Sequence, residues 1–256
     1  MTPAPGEASR GAVPRIAEAS ITAAAGASLG ALAGWPIGVR IPLGLVGGIN
    51  GAVCGWRRTY DWRSPGGVVG FVLDSTWAFG TTTGALLAHV AAAVRGDPQY
   101  HDELSRRRNR HVYGRGFQVR PRFAFTLGNV IAGGGDLSSE RRRRLINDHE
   151  DVHVWQARWF GPLYPVLYVG WLVGAGVVGV AVWVGRRRRE PFGKMVESCA
   201  YYLNPFEWWA YSRDGNWPPS KKLAGLGWRA PCVRPLSETP RRRARPAPPA
   251  PPAVPG

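Results

Sequence analysis

Two histidines flank a glutamate in the segment His149-Glu150-Asp151-Val152-His153. On an α-helix, residues four positions apart differ by about 40° around the axis, so both imidazoles would project to one side. That arrangement suits two ligands of a tetrahedral zinc ion. Glu150 would lie beside the ion but outside the ligand pair, where a carboxylate can take a proton from a metal-bound water. The segment therefore predicts a hydrolytic zinc site with Glu150 as general base.

The flanking residues predict the helix that this site needs. Asp136, Ser138 and Ser139 are favourable N-cap residues, and Glu140 suits the first turn of a helix. Gly161-Pro162 predicts the end of the same helix. Both histidines would then lie on one continuous helix.

A third protein ligand must come from elsewhere in the chain. The metzincin pattern would need glycine at position 156 and histidine at position 159, but the chain has Gln156 and Trp159. A downstream carboxylate is then expected, and the candidates are Glu197, Glu207 and Asp214. Glu207 is favoured because Asn204-Pro205 predicts a helix start directly before it.

Three apolar runs precede the motif, at residues 19–39, 41–56 and 68–94. In the first two, glycines recur at every fourth position: Gly26, Gly30 and Gly34, then Gly47, Gly51 and Gly55. Bare glycine faces let two backbones approach closely, so the spacing predicts a glycine-zipper helical hairpin. The third run contains Asp74 and His89, which we expect at an interface or packed against other helices.

Residues 161–185 carry no charge and are long enough to cross a bilayer, and four arginines follow at 186–189. A single crossing would place Glu207 on the opposite side of the membrane from the histidines. We therefore expect the segment to enter and leave on the cytoplasmic side, broken near Gly174-Ala175-Gly176, or to lie against the other apolar helices without crossing.

Short strand signals with glycine and proline between them lie just before the motif, at residues 111–113, 116–120, 122–127 and 129–131. They predict a small antiparallel sheet beside the zinc helix. An exposed edge strand of this sheet could hold an extended peptide by main-chain hydrogen bonds.

Charge and cysteine usage narrow the classes of partner. The net charge is +16, with arginine clusters at 106–108, 141–144, 186–189 and 241–243. Each cluster lies near an apolar segment, the motif helix or the tail, which favours anionic membrane lipid over nucleic acid; no nucleic-acid-binding module is recognisable. Cys54, Cys199 and Cys232 are distant and odd in number, so no disulfide framework follows.

Four segments together resemble a zincin-type metallopeptidase domain. They are Thr-Leu-Gly-Asn-Val-Ile at 126–131, the His-Glu-x-x-His stretch at 149–156, Gly-Pro-Leu-Tyr at 161–164 and Asn-Pro-Phe-Glu at 204–207. The resemblance is closer to the glutamate-ligand branch, the gluzincins, and to bacterial membrane proteins with this signature, and it covers roughly residues 111–215. It implies Zn²⁺ held by His149, His153 and Glu207, with Glu150 as base.

The chain departs from the gluzincin pattern four positions after the ligand glutamate. Gluzincins often have an acidic residue there, as a partner of a ligand histidine, whereas this chain has Tyr211. Its hydroxyl could donate to substrate or support a ligand, so Tyr211 is a second catalytic candidate. His111 is another candidate for stabilising an oxyanion, if the sheet brings it near the site.

The expected fold class is α+β and mostly helical, with apolar membrane-type helices, a small antiparallel sheet and a zincin-like helix. The expected regions are a disordered N-terminus (1–15), a glycine-zipper-like hairpin (16–63), a third apolar helix (64–97), a zincin-like domain (98–215, with an apolar insertion at 161–185) and an irregular basic, Pro-rich tail (216–256).

The expected function is a zinc metallopeptidase in the plasma membrane that cleaves a peptide or protein substrate on the cytoplasmic face. The alternatives are a non-catalytic glycine-zipper scaffold that binds anionic lipid, and an intramembrane protease with Asp214 as ligand. The polar residues 141–144 and 148 argue against burying the motif helix in a bilayer. The glycine-rich helices also predict a possible homo-oligomer.

Overall fold

The computed structural model describes residues 5–96, 99–116 and 123–236. Its α-helices are α1 (Pro5–Gly34), α2 (Arg40–Trp56), α3 (Pro65–Ser75), α4 (Phe79–Val94), α5 (Asp102–Ser105), α6 (Glu140–Arg144), α7 (Asp151–Phe160), α8 (Leu163–Gly185), α9 (Phe192–Glu197) and α10 (Pro205–Arg213). The strands are β1 (His111–Val112), β2 (Phe125–Leu127) and β3 (Val130–Ala132). The predicted class, a mostly helical α+β protein with a small sheet, is confirmed.

Helices α1 and α2 form a hairpin whose glycines face each other. A Cβ placed on Gly26 would lie 2.3 Å from the carbonyl oxygen of Gly47, and one on Gly51 would lie 2.1 Å from that of Thr22. A short 3₁₀ turn (Trp35–Ile37) joins the helices and ends at Gly38, whose φ of 73° favours glycine. The zipper glycines thus pack within the hairpin. Homo-oligomerisation through the glycine-rich helices stays a prediction. The zipper glycines already pack against the partner helix of the same chain.

Two features of the N-terminal half differ from the sequence-based expectation. Helix α1 begins at Pro5, inside the region expected to be disordered. The segment expected to form one third apolar helix is instead two helices, α3 and α4, which are bent by 91°. Thr82 Oγ1 donates to the carbonyl oxygen of Asp74 at 2.8 Å across this bend. The bend therefore depends on a contact that the apolar pattern does not reveal.

The sheet is mixed, whereas the sequence predicted an antiparallel one. Its order is β1-β3-β2; β1 pairs with β3 in parallel and β2 pairs with β3 antiparallel. Val130 packs with Tyr113 and alanines of α4 on one face, while Ile131 packs with Val154 and Ile146 on the other. The sheet thus lies between α4 and the motif helix. The strand expected at 116–120 lies mostly outside the described residues.

The motif helix runs from Glu140 to Phe160 and ends at Gly161, as predicted, but it contains a π-helical stretch, Leu145–Glu150. His149 and Glu150 lie on this wider turn, a feature that is frequent at functional sites. Arg110, just before β1, holds the helix by donating to Asp151 and, at 2.6 Å, to Asn147.

Helix α8 is continuous through all 23 of its residues, so the break expected near Gly174-Ala175-Gly176 is wrong. The chain reverses after the helix, at residues 186–189, where Arg187 and Arg188 have positive φ. It then runs back along α8 through α9 and a π-helical stretch, Ser198–Tyr202. A Cβ on Gly179 of α8 would lie 3.1 Å from the Cβ of Cys199, which shows how closely this return segment packs. Helix α10 therefore reaches the end of α8 at which α8 began.

Among the described residues, two helices are long and apolar enough to cross a membrane, residues 13–37 and α8, or three if the bent pair α3–α4 is one span. The predicted membrane-type helices are therefore present by length and composition. The exposed apolar side chains of α8 include Val166, Val169, Val173 and Val177.

A buried polar network connects the apolar helices to the motif helix. Arg158 of α7 donates two hydrogen bonds to the carboxylate of Asp74 in α3, at 2.9 and 2.8 Å, and both residues are almost fully buried. Tyr60 donates to the same carboxylate at 2.8 Å, and Asn129 Nδ2 lies 3.3 Å from it. Asp74 is therefore packed, in agreement with the prediction.

Replacing Gly47 by alanine tests the close approach in the hairpin. The new methyl group would overlap the Gly26 carbonyl, so we expect the free energy of unfolding to fall by about 1–3 kcal/mol. Gly174→Ala is the matched control, because a Cβ on Gly174 meets nothing within 4 Å. It should leave stability unchanged or raise it, since alanine favours a helix interior by about 0.5–1 kcal/mol. Equal effects of the two changes in denaturant titrations would contradict the packing.

Replacing Asp74 by alanine tests the buried ion pair. The Arg158 guanidinium would lose its counter-charge in the protein interior, so we expect stability to fall by about 3–5 kcal/mol. Glu140→Ala removes an exposed carboxylate that lies 3.6 Å from Arg144 and serves as the control. Its unfolding midpoint should match that of the wild type, and a comparable loss in both variants would refute the special role of the buried pair.

Candidate metal centre

Three buried side chains converge where α7 meets α10. His149, His153 and Glu207 each offer a potential ligand atom, and these atoms lie within 4.8 Å of one another. His149 Nε2 is 3.5 Å from Glu207 Oε2, and His153 Nε2 is 3.3 Å from Glu207 Oε1. The two imidazole rings meet edge-on with centroids 5.0 Å apart. The group can hold a metal ion, and its side chains are the three that the sequence singled out.

The second nitrogen of each imidazole faces an oxygen atom. His149 Nδ1 lies 3.3 Å from a carboxylate oxygen of Asp214, and His153 Nδ1 lies 2.8 Å from Gln156 Oε1. These contacts place an oxygen at Nδ1 of each ring, so that Nε2, which faces Glu207, is the nitrogen of each imidazole available to a metal ion. Such contacts orient ligand histidines and make them more basic.

The start of α10 fixes the position of Glu207. The side chain of Asn204 accepts a hydrogen bond from the Phe206 backbone N–H at 3.0 Å, which caps the helix as its sequence predicted. Gln156 Nε2 donates to the Phe206 carbonyl oxygen, also at 3.0 Å. Gln156 therefore connects the third-ligand helix directly to the helix that carries both histidines.

Two tyrosines at the beginning of α8 close one side of the group. Tyr168 donates to Glu207 Oε1 at 2.6 Å, and the Tyr164 hydroxyl lies 3.2 Å from His153 Nδ1. The first turns of the apolar helix thus belong to the site. The other carboxylate oxygen, Glu207 Oε2, is buried and has no hydrogen-bond partner among the described residues.

The catalytic candidates Glu150 and Tyr211 both lie beside the group. Glu150 is 6% exposed, and its Oε2 accepts a hydrogen bond from Thr126 of β2 at 2.7 Å. The ring of Tyr211 packs edge-on against His149, with centroids 4.5 Å apart. β2 therefore orients the carboxylate that follows His149, and Tyr211 supports the other side of that imidazole.

The electrostatics of the group favour positive charge between the imidazoles and the carboxylates. Burial lowers the pKa of His149, but the carboxylates of Asp214 and Glu207 raise it more strongly, to about 10. Burial also lowers the pKa of His153, and Glu207 raises it above its ordinary value. Burial raises the pKa of Glu207, yet the two imidazoles hold it well below its usual range. A cation would stabilise the same charge pattern.

The donor set fits a zinc ion. It comprises two imidazole Nε2 atoms and one carboxylate, the His₂Glu combination used in catalytic zinc sites. Within the described part of the chain Glu207 Oε2 lacks a donor, as expected of an atom that a metal would satisfy. The second nitrogen of each histidine has an oxygen neighbour, as metal-bound histidines usually do.

The three downstream carboxylates have different positions relative to the ligand group, and one of them is excluded as a ligand. Glu207 is in the group. Asp214 contacts Nδ1 of His149, the imidazole nitrogen that does not face Glu207. Glu197, at the end of α9, is not part of the group. His111 was a candidate only if the sheet brought it near the site; it is fully buried, and its ring instead contacts Tyr100 at 3.0 Å and Cys54 at 3.2 Å, neither of which belongs to the group.

Sequence reasoning gave no role to Gln156, Tyr164, Tyr168 and Thr126. Gln156 follows His153 by three positions on the same helix, which could have indicated a shared face. Tyr164 and Tyr168 are four residues apart at the start of an otherwise apolar segment, a spacing that also places them on one face. The approach of Thr126 to Glu150 depends on tertiary packing.

No protein-family model, curated protein or solved structure matches this chain. The likeness to zincin metallopeptidases therefore stays a prediction that depends on the motif residues and on the geometry just described.

Replacing Glu207 by alanine tests the third ligand. It removes a direct ligand, so zinc affinity should fall by more than the roughly 10–100-fold typical of residues behind the ligands. Glu197→Ala should retain wild-type affinity, because Glu197 lies outside the group. Competition of purified protein with a chromophoric zinc chelator measures both constants. A loss in Glu197→Ala alone would refute the ligand assignment.

Proposed function

We propose that this protein is a membrane-associated zinc-dependent metallopeptidase with one site built from α7, α10 and β2. The observation that carries the proposal is the convergence of His149, His153 and Glu207, with Glu150 beside them, from segments more than 50 residues apart. The proposed substrate is a peptide or protein. The proposed location is the plasma membrane, with the site on the cytoplasmic face, because the arginines at 141–144 and 186–189 flank the site and α8.

The three ligands and the catalytic carboxylate have distinct roles. His149, His153 and Glu207 would hold the ion, and Asp214 and Gln156 would orient the imidazoles from their Nδ1 sides. A bound zinc ion would lower the pKa of a water molecule towards 7 and polarise a carbonyl group. Glu150 would accept a proton from the attacking water and return it to the amine that leaves when the peptide C–N bond breaks, and Thr126 holds the carboxylate in position for both transfers.

Tyr211 and Tyr168 contact different members of the ligand group and support it in different ways. Tyr168 donates to a ligand oxygen, which orients Glu207 and leaves its other oxygen without a donor. Tyr211 contacts His149 through its ring, and its hydroxyl is the proposed donor to the developing oxyanion of the substrate.

A second candidate function is a membrane scaffold in which the metal is structural. The burial of the site favours it: the ligand residues are at most 7% exposed, and Glu150 already has a partner in Thr126. A structural metal would make folding depend on zinc, whereas a catalytic metal must also admit water and substrate. The two functions therefore differ in what the loss of Glu150 does.

Replacing Glu150 by glutamine tests the enzyme. The amide cannot accept the proton, so peptide hydrolysis should fall by about 10²–10⁴-fold. Zinc content should stay that of the wild type, because no ligand is removed. A quenched-fluorescence peptide library and elemental analysis of the purified full-length protein measure the two quantities.

The control is Glu140→Gln, which changes an exposed glutamate at the start of the same helix. It should leave both turnover and zinc content unchanged. Wild-type turnover in Glu150→Gln would overturn the role of Glu150 as base. Absence of hydrolysis in the wild type, together with unfolding when zinc is removed, would instead support the scaffold.

A further inference from the structure

An arginine-lined cavity of about 270 Å³ lies at the open end of the α1–α2 hairpin, remote in sequence from the metal ligands. It is lined by Arg15, Trp56, Arg57, Arg58, Tyr100, Asp102 and Arg106. Four of these side chains are cationic at neutral pH and one is anionic, so the lining carries a clear positive excess. Like charges repel each other at this range, and an anion in the cavity would offset the repulsion.

Arg57 is a half-buried part of the lining that packs against aromatic rings. Its guanidinium carbon lies 3.9 Å from the ring centroid of Tyr100 and 5.5 Å from that of Tyr113, so the planar group is held against two aromatic faces. Its Nη1 atom is buried and has no hydrogen-bond partner among the described residues. A fixed guanidinium with an unused donor matches the geometry by which arginine binds phosphate.

Glu18, a partly buried acid that pairs with one arginine of the cavity, is mainly engaged by other groups. It accepts two hydrogen bonds from Arg107, at 2.5 and 2.7 Å, and one from Trp62 at 2.8 Å. Arg58 pairs with the same carboxylate at 3.6 Å. Among the described residues, Glu18 therefore offsets part of the charge of Arg58 but forms no ion pair with Arg15, Arg57 or Arg106.

The cavity lies at one end of an apolar segment that can cross a membrane. Arg15 stands near the start of the candidate span at residues 13–37, and Trp56 ends α2 with about half of its surface exposed. Tryptophan is enriched where hydrocarbon meets the headgroup layer, and arginine there reaches toward lipid phosphates. A phosphate carried by a phospholipid would lie at this level.

We propose that this cavity is a binding site for a phosphate group, and that its ligand is the headgroup of an anionic phospholipid. The phosphate accepts hydrogen bonds from Arg57, while Arg15, Arg58 and Arg106 supply the surrounding positive charge. The site is independent of the proposed peptidase activity, because no cavity residue belongs to the metal centre.

The binding test uses the purified full-length protein in a zwitterionic detergent. Dihexanoyl phosphatidylglycerol, dihexanoyl phosphatidylcholine and inorganic phosphate are each titrated by calorimetry. We expect saturable binding of the phosphatidylglycerol that weakens as salt is added, and much weaker binding of the other two. Equal binding of inorganic phosphate would support the phosphate site and assign free phosphate as its ligand. Saturation by phosphatidylcholine with the same affinity, or no binding at all, would overturn the proposal.

A matched pair of double variants separates this cavity from diffuse positive charge. Arg15→Gln with Arg106→Gln removes two exposed arginines of the cavity, and we expect phosphatidylglycerol affinity to fall by about 30-fold. Arg229→Gln with Arg234→Gln makes the same change in charge at two exposed arginines outside the cavity and outside the arginine clusters, and it should leave the affinity within about twofold. Equal losses in the two double variants would overturn the site.

A third variant tests Arg57, the arginine that packs against the aromatic rings. Arg57→Lys keeps the charge but removes the planar group with its fixed donors, so affinity should fall although net charge is constant. Wild-type affinity in Arg57→Lys would contradict the role of Arg57. Circular dichroism of each variant verifies that the fold is retained.

Discussion

The buried ion pair between Asp74 and Arg158 is the interaction on which the arrangement of the site depends. Removing two charges from water is costly, and the cost is offset only when geometry is good and the remaining polar atoms are bonded. Here Tyr60 and Asn129 also donate hydrogen bonds to the Asp74 carboxylate, and Arg158 donates to the carbonyl oxygen of Asn109 at 2.6 Å. The pair joins α3 to the helix of His149 and His153 in a single relative position.

A second constraint brings the third ligand to that helix. The chain leaves the motif through α8, about 34 Å long at 1.5 Å per residue, and must return to place Glu207 beside the histidines. It does so by packing the return segment against small side chains: Gly179 approaches Cys199, and Trp171 donates to the Cys199 carbonyl oxygen at 3.3 Å. The apolar insertion and the ligand order along the chain are therefore linked.

The local elements of the site were predictable because their signals are local. Residues that start and end a helix bracket the motif, Asn204-Pro205 predicts the start of α10, and glycines at every fourth position predict the hairpin. The bend between α3 and α4 was not predictable, since the break at residues 76–78 contains neither glycine nor proline. The bend is stabilised by the hydrogen bond of Thr82 and by that of Trp77. The Trp77 indole donates to the carbonyl oxygen of Trp159, in α7, at 3.1 Å.

Partners far apart in sequence also explain why the roles of Asp214 and Thr126 were missed. Asp214 was weighed as a ligand because carboxylates bind zinc, but only the fold shows that it faces Nδ1 rather than Nε2 of His149. The contact of Thr126 with Glu150 likewise depends on the fold, because β2 lies against the motif helix through its pairing with β3. In this protein the ligand types are encoded within single helices, whereas the contact of Asp214 with His149 and that of Thr126 with Glu150 come from other elements. A metal ion at the ligand group would therefore stabilise the junction of the motif helix with α10 as well as enable chemistry there, because its three ligands come from both helices.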